Sequence, residues 1–196
     1  MGYEWTGMAF QEKQAGGQIF IVFGLAVLVV LLLLSAQYES WIDPLAVILV
    51  VPLAVLGAAL GLLIRHFDNN LYTQVGLVLL VGLSAKNAIL IVEFARAGMA
   101  EGKSAFDAAV EGARLRFRPI LMTSFAFIIG VLPLVVATGA GAASRQSLGT
   151  AVFAGMLGVT CLGVIFTPAL YVAMQKVRTT LASILKGTRQ TPKAEL

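Results

Sequence analysis

Five long apolar runs restrict the fold of this sequence more than any other feature. They cover approximately residues 19–36, 45–64, 75–97, 120–137 and 148–174. A helix needs about 20 predominantly apolar residues to cross the hydrocarbon core of a membrane. The runs are continuous and do not alternate with period two, which favours helices over the strands of a barrel. The predicted fold class is therefore all-α: a polytopic transmembrane helix bundle with five spans.

The composition excludes several other classes of protein. Of 196 residues, 59% are hydrophobic and 12% are charged, against about 45–50% and about 25% in an average soluble domain. This excludes a soluble enzyme, a disordered chain and a disulfide scaffold, and the single cysteine cannot form an internal bridge. A net charge of +4 would suggest nucleic acid in a soluble protein. In an apolar chain we interpret it as a topology signal and expect membrane lipid, not nucleic acid, around the protein.

The positive charges predict the orientation of the bundle. Ten of the fourteen Lys and Arg residues lie in the link Arg96–Arg118 or after Met174, whereas Lys13, Arg65 and Arg145 lie on the other side. Loops rich in Lys and Arg stay in the cytoplasm. The C-terminus is therefore predicted to be cytoplasmic, with residues 175–196 as a basic, disordered tail. Five spans then place the N-terminus outside.

The segments that flank the spans carry two further predictions. In the link, Ser104 and Asp107 have the spacing of a capping box, and Phe106, Val110 and Ala113 recur at helical spacing. They predict a short interfacial helix, at about 104–115, on the cytoplasmic membrane surface. Residues 1–18 are neither a signal peptide nor a span. We interpret them as the remnant of a periplasmic region and expect the chain to be the C-terminal piece of a larger protein.

Lys86 is the most informative polar residue. It lies near the middle of the third run, where a lysine costs about 2.5–3.5 kcal/mol on insertion scales. Such a side chain is expected to face the bundle interior and to need an anionic partner; the alternative is that it snorkels to an interface. Glu93 follows seven residues later, about 10 Å further along the helix. We therefore expect the counter-ion to be one or more carboxylates on a helix outside this chain.

Two further residue pairs lead to predictions. One pair suggests a polar helix face, and the other suggests a site of close helix packing. Arg116 and Thr123 are seven residues apart and share a helix face if the helix extends back past Pro119. Each also has a simpler explanation: Arg116 as one more cytoplasmic charge, and Thr123 as a hydroxyl bonded to its own helix. Gly57 and Gly61 form a GxxxG pair, which predicts close packing of two helices.

Four motifs resemble those of one known family. They are YESW at Tyr38–Trp41, VGLSAKNAILIVEFA at Val81–Ala95, RFRPILMTSFAFIIGVLPL at Arg116–Leu134 and TGAGA at Thr138–Ala142. Together they resemble the resistance–nodulation–division efflux permeases, in particular the hydrophobe/amphiphile branch of Gram-negative bacteria. The resemblance runs from Gly2 to about Lys176. The family has twelve spans, and this chain is similar to its last five.

The resemblance implies a proton-driven exporter of hydrophobic or amphiphilic compounds in the bacterial inner membrane. Family members are trimers that dock a periplasmic adaptor and an outer-membrane channel, and they use the proton gradient without a cofactor or metal. Their proton relay combines two aspartates of the first half with positions that match Lys86, Arg116 and Thr123. Asn87 adjoins Lys86 in the same motif and is a candidate supporting residue. The other candidates, from their positions in the spans, are Ser84, Ser124 and Glu93. With the aspartates on the missing half, this chain is expected to be inactive alone.

Other functions remain open at this point. The same bundle occurs in relatives that export proteins or handle lipids, and a non-transporting membrane scaffold is a further possibility. An intramembrane enzyme could use Ser84 and Lys86 as a nucleophile and base. Two residues of a helix correspond to a rotation of about 200°, however, so the two side chains point to nearly opposite faces. We therefore expect the protein not to be an enzyme.

Overall fold

The structure is a computed structural model that describes residues 19–187, and this part of the chain is helical without a strand. Its elements, in order, are α1 (Ile19–Tyr38), α2 (Ile42–Ile48), α3 (Val51–Ile64), α4 (Leu71–Ala100), α5 (Ala105–Val135), α6 (Ala142–Gly158), a π-helical turn (Val159–Gly163) and α7 (Val164–Gly187). Five helical segments are long and apolar enough to cross a membrane. The predicted all-α class with five spans is confirmed. The predicted periplasmic remnant, 1–18, lies outside the described residues.

The second span is divided into α2 and α3 at a proline. Pro52 stands in the first turn of α3 and has no N–H to donate to the carbonyl of Ile48. At this break in the helix, the backbone N–H of Val50 donates to the carbonyl of Val47, three residues earlier, at 3.2 Å. The two short helices thus form one membrane-length segment, Ile42–Ile64.

Helix α5 corrects the prediction of two separate elements. The segment predicted as an interfacial helix at about 104–115 and the span predicted at 120–137 form one helix, Ala105–Val135, with Pro119 inside it. The capping box forms as expected, since Ser104 is the N-cap and its Oγ accepts from the Asp107 N–H at 3.1 Å. The prediction of two helices was wrong because packing holds α5 along α4 on both sides of the proline. A Cβ on Gly112 would lie 3.0 Å from both Ala95 N and Ile91 O.

The C-terminal segment also differs from its prediction. The fifth span comprises α6, the π-helical turn and α7, and α7 continues as a helix to Gly187. Residues 175–187 are thus helical and not disordered, while residues 188–196 lie outside the described part. The physical reason is that Lys and Arg are good helix formers and are favourable near a helix C-terminus, where the helix dipole is negative.

Small residues bring the helices of the core together. Helices α3 and α6 are in close contact: a Cβ on Gly57 would lie 2.8 Å from Ala154 O and 3.0 Å from Gly158 Cα. Gly61 contacts the Ala154 side chain in the same way. The GxxxG pair therefore faces α6, where only hydrogen atoms fit between the backbones. Larger side chains fill the space between these contacts; Leu80, Ile91, Ile120, Val152 and Tyr171 are among the fully buried ones.

Residues 101–104 link α4 to α5 at one end of the bundle. At the opposite end, polar contacts join the helix ends. Asn70 caps α4 and its Nδ2 donates to Ser147 Oγ of α6 at 2.9 Å. Arg65, at the end of α3, donates to Val135 O at 2.9 Å and to Thr150 Oγ1 at 2.8 Å. These bonds fix the ends of α3, α4, α5 and α6 relative to one another. They therefore hold the two helices, α4 and α5, that carry the polar residues described next.

Candidate functional site on helices α4 and α5

Lys86 lies on an exposed face of α4. This corrects the expectation that it faces the interior of these five helices. The physical reason is that α4 directs the small and apolar side chains Ala85, Ala88 and Val92 toward the core instead. Among residues 19–187, the salt bridges are Arg96–Asp43, Lys103–Glu101 and Lys103–Glu111. Lys86 takes part in none of them, so its charge is uncompensated within the described part of the chain.

A hydrogen bond between buried amide and hydroxyl groups fixes α4 against α5 beside Lys86. Asn87 Nδ2 donates to Ser124 Oγ at 3.3 Å. Ser124 is fully buried and Asn87 is 7% exposed. An interhelical bond between two buried polar groups is favourable because neither group has access to water. It fixes the height at which the two helices face each other.

This contact places Lys86 and Thr123 at the same level and on the same side of the helix pair. The helices are antiparallel neighbours, since Gly98 near the end of α4 meets Ala108 near the start of α5. Lys86 and Thr123 immediately precede the bonded residues. In an antiparallel pair, the residues that precede two facing residues rotate by about 100° toward the same side. Both side chains are exposed, so they border one open surface.

Thr123 and Arg116 have different local partners. Thr123 Oγ1 donates to Ile120 O, one turn earlier, at 3.1 Å. This is the back-bond that the simpler explanation foresaw, and it leaves the oxygen able to accept a hydrogen bond. Arg116 stacks on Phe94 of α4, with Cζ 3.8 Å from the ring centroid. Its Nε is buried and without a hydrogen-bond partner in the described structure, so the guanidinium keeps an unused donor.

Glycines widen the open surface around Lys86 and Thr123. Gly82 precedes Lys86 by four residues and Gly130 follows Thr123 by seven, so each lies on the same helix stripe as the polar residue. Both glycines are exposed, and a Cβ on either would meet no heavy atom within 4 Å. A surface of this kind allows another helix to approach the backbone closely. Chemically, the site offers one ammonium group and one hydroxyl group to whatever covers it.

The remaining predicted polar residues occupy separate places. Glu93 is exposed on α4, two turns beyond Lys86. Ser84 is fully buried and its Oγ donates to Val81 O at 3.0 Å. Ser84 and Lys86 therefore lie on different faces of α4, and the nucleophile–base pair does not form. No group of three or more His, Cys, Asp and Glu side chains that could hold a metal comes together in residues 19–187.

Sequence reasoning missed a second polar cluster, which surrounds Asp43 at the end of the bundle nearest the 101–104 link. Asp43 is 1% exposed, and its Oδ1 accepts from Gln175 Nε2 of α7 at 2.9 Å. Arg96 of α4 places Nε 3.3 Å from Oδ2, an ion pair without a well-directed hydrogen bond, and it stacks on the Tyr38 ring. The only sequence signal is an acid beside a proline at the start of an apolar run. The cluster joins the ends of α1, α2, α4 and α7.

Two exposed ion pairs of Lys103 order the link itself. Lys103 Nζ lies 2.6 Å from Glu111 Oε2 and 3.3 Å from Glu101 Oε2. The hydrogen bond to Glu111 raises the pKa of Lys103 above its ordinary value. Because all three residues are in contact with solvent, we assign these pairs no role in the site on α4 and α5.

Comparison with known proteins identifies the family. A family model described as AcrB/AcrD/AcrF matches residues 1–175. The toluene efflux pump membrane transporter TtgB of Pseudomonas putida is 49% identical over 177 residues, which are 90% of this chain and 17% of that protein. The multidrug resistance protein MdtF of Escherichia coli is 49% identical over 176 residues, 89% of this chain and 17% of that protein.

A third relative gives the same result. The solvent-resistant pump membrane transporter SrpB of Pseudomonas putida is 51% identical over 178 residues, 90% of this chain and 17% of that protein. The chain thus spans about 17% of the length of the curated relatives that it matches. The matched region contains both α4 and α5. The resemblance seen in the motifs is confirmed: the chain belongs to the AcrB/AcrD/AcrF family of resistance–nodulation–division efflux proteins.

Proposed function

We propose that this chain forms the C-terminal membrane part of a proton-driven efflux transporter that exports hydrophobic or amphiphilic compounds. The observation that carries the proposal is the position of Lys86, which is exposed beside Thr123 and lacks an acidic partner within residues 19–187. An ammonium group at this depth requires compensation. We propose that carboxylates on a helix of the remaining transporter supply it. The names of the relatives favour export of small molecules over protein export or lipid handling.

The proposed mechanism uses one proton-dependent contact. When the carboxylates of the covering helix are ionised, they hold the Lys86 ammonium by charge. Proton uptake by a carboxylate weakens this attraction, and the ammonium then turns toward the Thr123 hydroxyl at the same level. The two arrangements favour different positions of α4 and α5 against the covering helix, which is how proton binding would drive a conformational change.

Neighbouring residues have supporting roles in this mechanism. The Asn87–Ser124 bond keeps α4 and α5 in register while Lys86 moves. Arg116, with an unused donor against Phe94, would govern proton passage at the cytoplasmic end of α5. Ser84, bonded within its own helix, has no role in chemistry, and we propose that the protein is not an enzyme. The proton gradient is the energy source, without a cofactor.

Location and assembly complete the proposal. The bacterial relatives support a location in the inner membrane, and the distribution of Lys and Arg supports a periplasmic N-terminus and a cytoplasmic C-terminus. By family resemblance, the complete transporter would be a homotrimer that docks a periplasmic adaptor and an outer-membrane channel. This chain would be inactive alone, since it lacks the proposed carboxylates.

A chimaera tests the proposal. Residues 1–175 of this chain would replace the matching segment of MdtF, and proton-driven dye export would be measured in everted membrane vesicles. Lys86→Met keeps the length of the side chain and removes its charge. We expect this variant to assemble and insert normally but to lose export, because nothing then responds to protonation of the carboxylates.

The matched control is Lys103→Met, which removes a lysine charge from the exposed link. We expect the control to export at the rate of the unmodified chimaera. Export by Lys86→Met at the control's rate, with the same dependence on the pH gradient, would exclude the proposed role. Assembly is checked separately by the amount of protein in the membrane and by cross-linking of its subunits.

A further inference from the structure

Helix α4 contains one acidic residue, Glu93, to which the proposed mechanism gives no part. Glu93 follows Lys86 by seven residues, so the two side chains differ by only about 20° around the helix. They are about 10 Å apart along its axis. A further seven residues, again about 10 Å, separate Glu93 from the end of α4 at Ala100. Glu93 therefore lies midway between Lys86 and the end of the helix that is predicted to be cytoplasmic.

Contacts with α5 place Glu93 on the same open surface as Lys86. Asn87 and Phe94, seven residues apart on α4, both contact α5, the first by a hydrogen bond and the second by stacking on a guanidinium. The same side of α4 thus faces α5 at both levels. Lys86 and Glu93 immediately precede these two contact residues, and both are exposed. They therefore lie along one edge of α4, beside α5.

The carboxyl group of Glu93 has no partner among residues 19–187. Charged or titratable side chains reach this end of α4 from four other helices: Arg116 of α5, Tyr38 of α1, Asp43 of α2 and Tyr171 of α7. Within the described residues, none of them forms an ion pair or a hydrogen bond with Glu93, and neither does a cation of α4 itself. Both ionisation states of Glu93 are thus free of a fixed contact in this part of the chain.

The depth of Glu93 favours proton exchange. If Lys86 marks the middle of a hydrocarbon core of about 30 Å, Glu93 lies about 5 Å inside the cytoplasmic boundary. An unpaired carboxylate in an apolar environment tends to take up a proton, whereas a carboxylic acid in contact with water releases one. A flexible side chain near the boundary can meet both environments. Glu93 is therefore suited to carry a proton across this last part of the membrane.

We infer that Glu93 receives the proton released by the carboxylates opposite Lys86 and passes it to cytoplasmic water. The inference rests on the proposed function and adds a residue to it. The proton leaves a carboxylic acid of the covering helix, which becomes a carboxylate and again holds Lys86. It protonates the Glu93 carboxylate, and Glu93 then gives it to water at the cytoplasmic end of α4. A gap of about 10 Å is longer than one hydrogen bond of about 2.8 Å, so water molecules on the open surface carry the proton between the two groups.

Dye export by the MdtF chimaera tests this inference, because the cytoplasmic face of everted vesicles is in contact with the bath. Glu93→Gln keeps the size of the side chain but cannot carry a proton. We expect normal insertion and an unchanged dye concentration for half-maximal export. The maximal rate should fall by about ten-fold or more, since a positioned proton-transfer group contributes about 10²–10⁴-fold and water replaces it only in part. Glu93→Asp keeps the carboxyl group and should retain most of the rate.

The matched control is Glu101→Gln, which removes an exposed acid from the neighbouring link. We expect it to export at the rate of the unmodified chimaera. Formate in the bath separates proton transfer from a structural role, because a small carboxylate can accept the proton in place of Glu93. Formate should raise the maximal rate of Glu93→Gln several-fold without changing that of Glu101→Gln or Lys86→Met. The lumenal pH is recorded in the same vesicles, so an effect of formate on the gradient is detected.

Three results would overturn the inference: export by Glu93→Gln at the control's rate, a lowered rate that formate leaves unchanged, or a rate of Glu93→Asp as low as that of Glu93→Gln. If Glu93→Gln does not insert, Glu93→Ala is judged by the same comparison with the control and the same response to formate. Lys86→Met keeps the two proposals apart. Normal export by Lys86→Met refutes the proposed function, whereas normal export by Glu93→Gln alone refutes only the role of Glu93.

Discussion

Replacing Asp43 is expected to weaken the bundle strongly, although this residue lies outside the site on α4 and α5. Asp43→Ala leaves the Gln175 amide, which is 5% exposed, without its acceptor. An unsatisfied buried donor costs about 1–3 kcal/mol. Breaking a fully buried ion pair costs about 3–5 kcal/mol, but the Arg96 side chain is 38% exposed and can turn to water. The expected loss in free energy of unfolding is therefore about 2–4 kcal/mol.

The conservative substitution separates the hydrogen bond from the charge. Asp43→Asn keeps an oxygen that accepts from Gln175, but it removes the attraction to the partly solvated Arg96 and places a buried NH2 group where Oδ2 faced that side chain. Because the Gln175 amide keeps its acceptor, Asp43→Asn should be destabilised less than Asp43→Ala. The order of stability is expected to be wild type, then Asp43→Asn, then Asp43→Ala.

Unfolding of the detergent-solubilised chain by sodium dodecyl sulfate, followed by circular dichroism, measures these differences. Glu39→Gln is the matched control, since it removes an exposed acid four residues away, and we expect it to unfold with the wild type. The double variant Asp43→Ala, Gln175→Ala should lose less than the sum of the single losses, because no orphaned amide remains. The reasoning is refuted if Asp43→Ala is within about 0.5 kcal/mol of the control, or if Asp43→Asn is as unstable as Asp43→Ala.

Two further predictions concern helix contacts and use the same measurement. Gly57→Ala places a methyl group against Ala154 O and Gly158 Cα of α6, so we expect a loss of about 1–3 kcal/mol from overpacking. Gly24→Ala meets no heavy atom within 4 Å and should cost no stability, since alanine is the better helix former; equal stability of the two variants would contradict the close approach of α3 to α6. Ser124→Ala leaves the buried Asn87 amide without the acceptor of the α4–α5 hydrogen bond and should cost about 1–3 kcal/mol. No loss in that variant would mean that the bond does not contribute to stability.

The apolar runs were sufficient to predict the membrane helices, whereas their ends were not predictable from hydropathy alone. The bounds of α5 show why. Pro119 is compatible with a first-turn position, so the sequence allowed a new helix to begin there. Packing of Gly112 on α4 before Pro119, together with the bond of Ser124 to Asn87 after it, decides for a single helix, and these contacts join residues that are far apart in the chain. The helical extent of α7 beyond Met174 was not predicted for a related reason, because charged residues continue a helix without being apolar.

The polar residues also divide into those that the sequence identified and those that only the structure revealed. The sequence singled out Lys86 because a lysine in an apolar run is costly wherever the run lies. Its one signal for Asp43, an acid beside a proline at the start of an apolar run, was not enough to predict burial, because acids beside a loop are usually solvated. Its burial depends on Gln175 and Arg96, which come from two other helices.

By itself, the sequence determined that this protein is a bundle of membrane-length helices, that one of them carries a lysine at mid-depth, and that its motifs are those of an efflux family. These properties follow from the local cost of placing each side chain in hydrocarbon, which needs no knowledge of neighbours. Only the tertiary structure decided that Lys86 and Thr123 border one open surface while Ser84 faces the core. The physical reason is that a helix turns by about 100° at each residue, and only contacts between helices, such as Asn87 with Ser124, fix which face is covered.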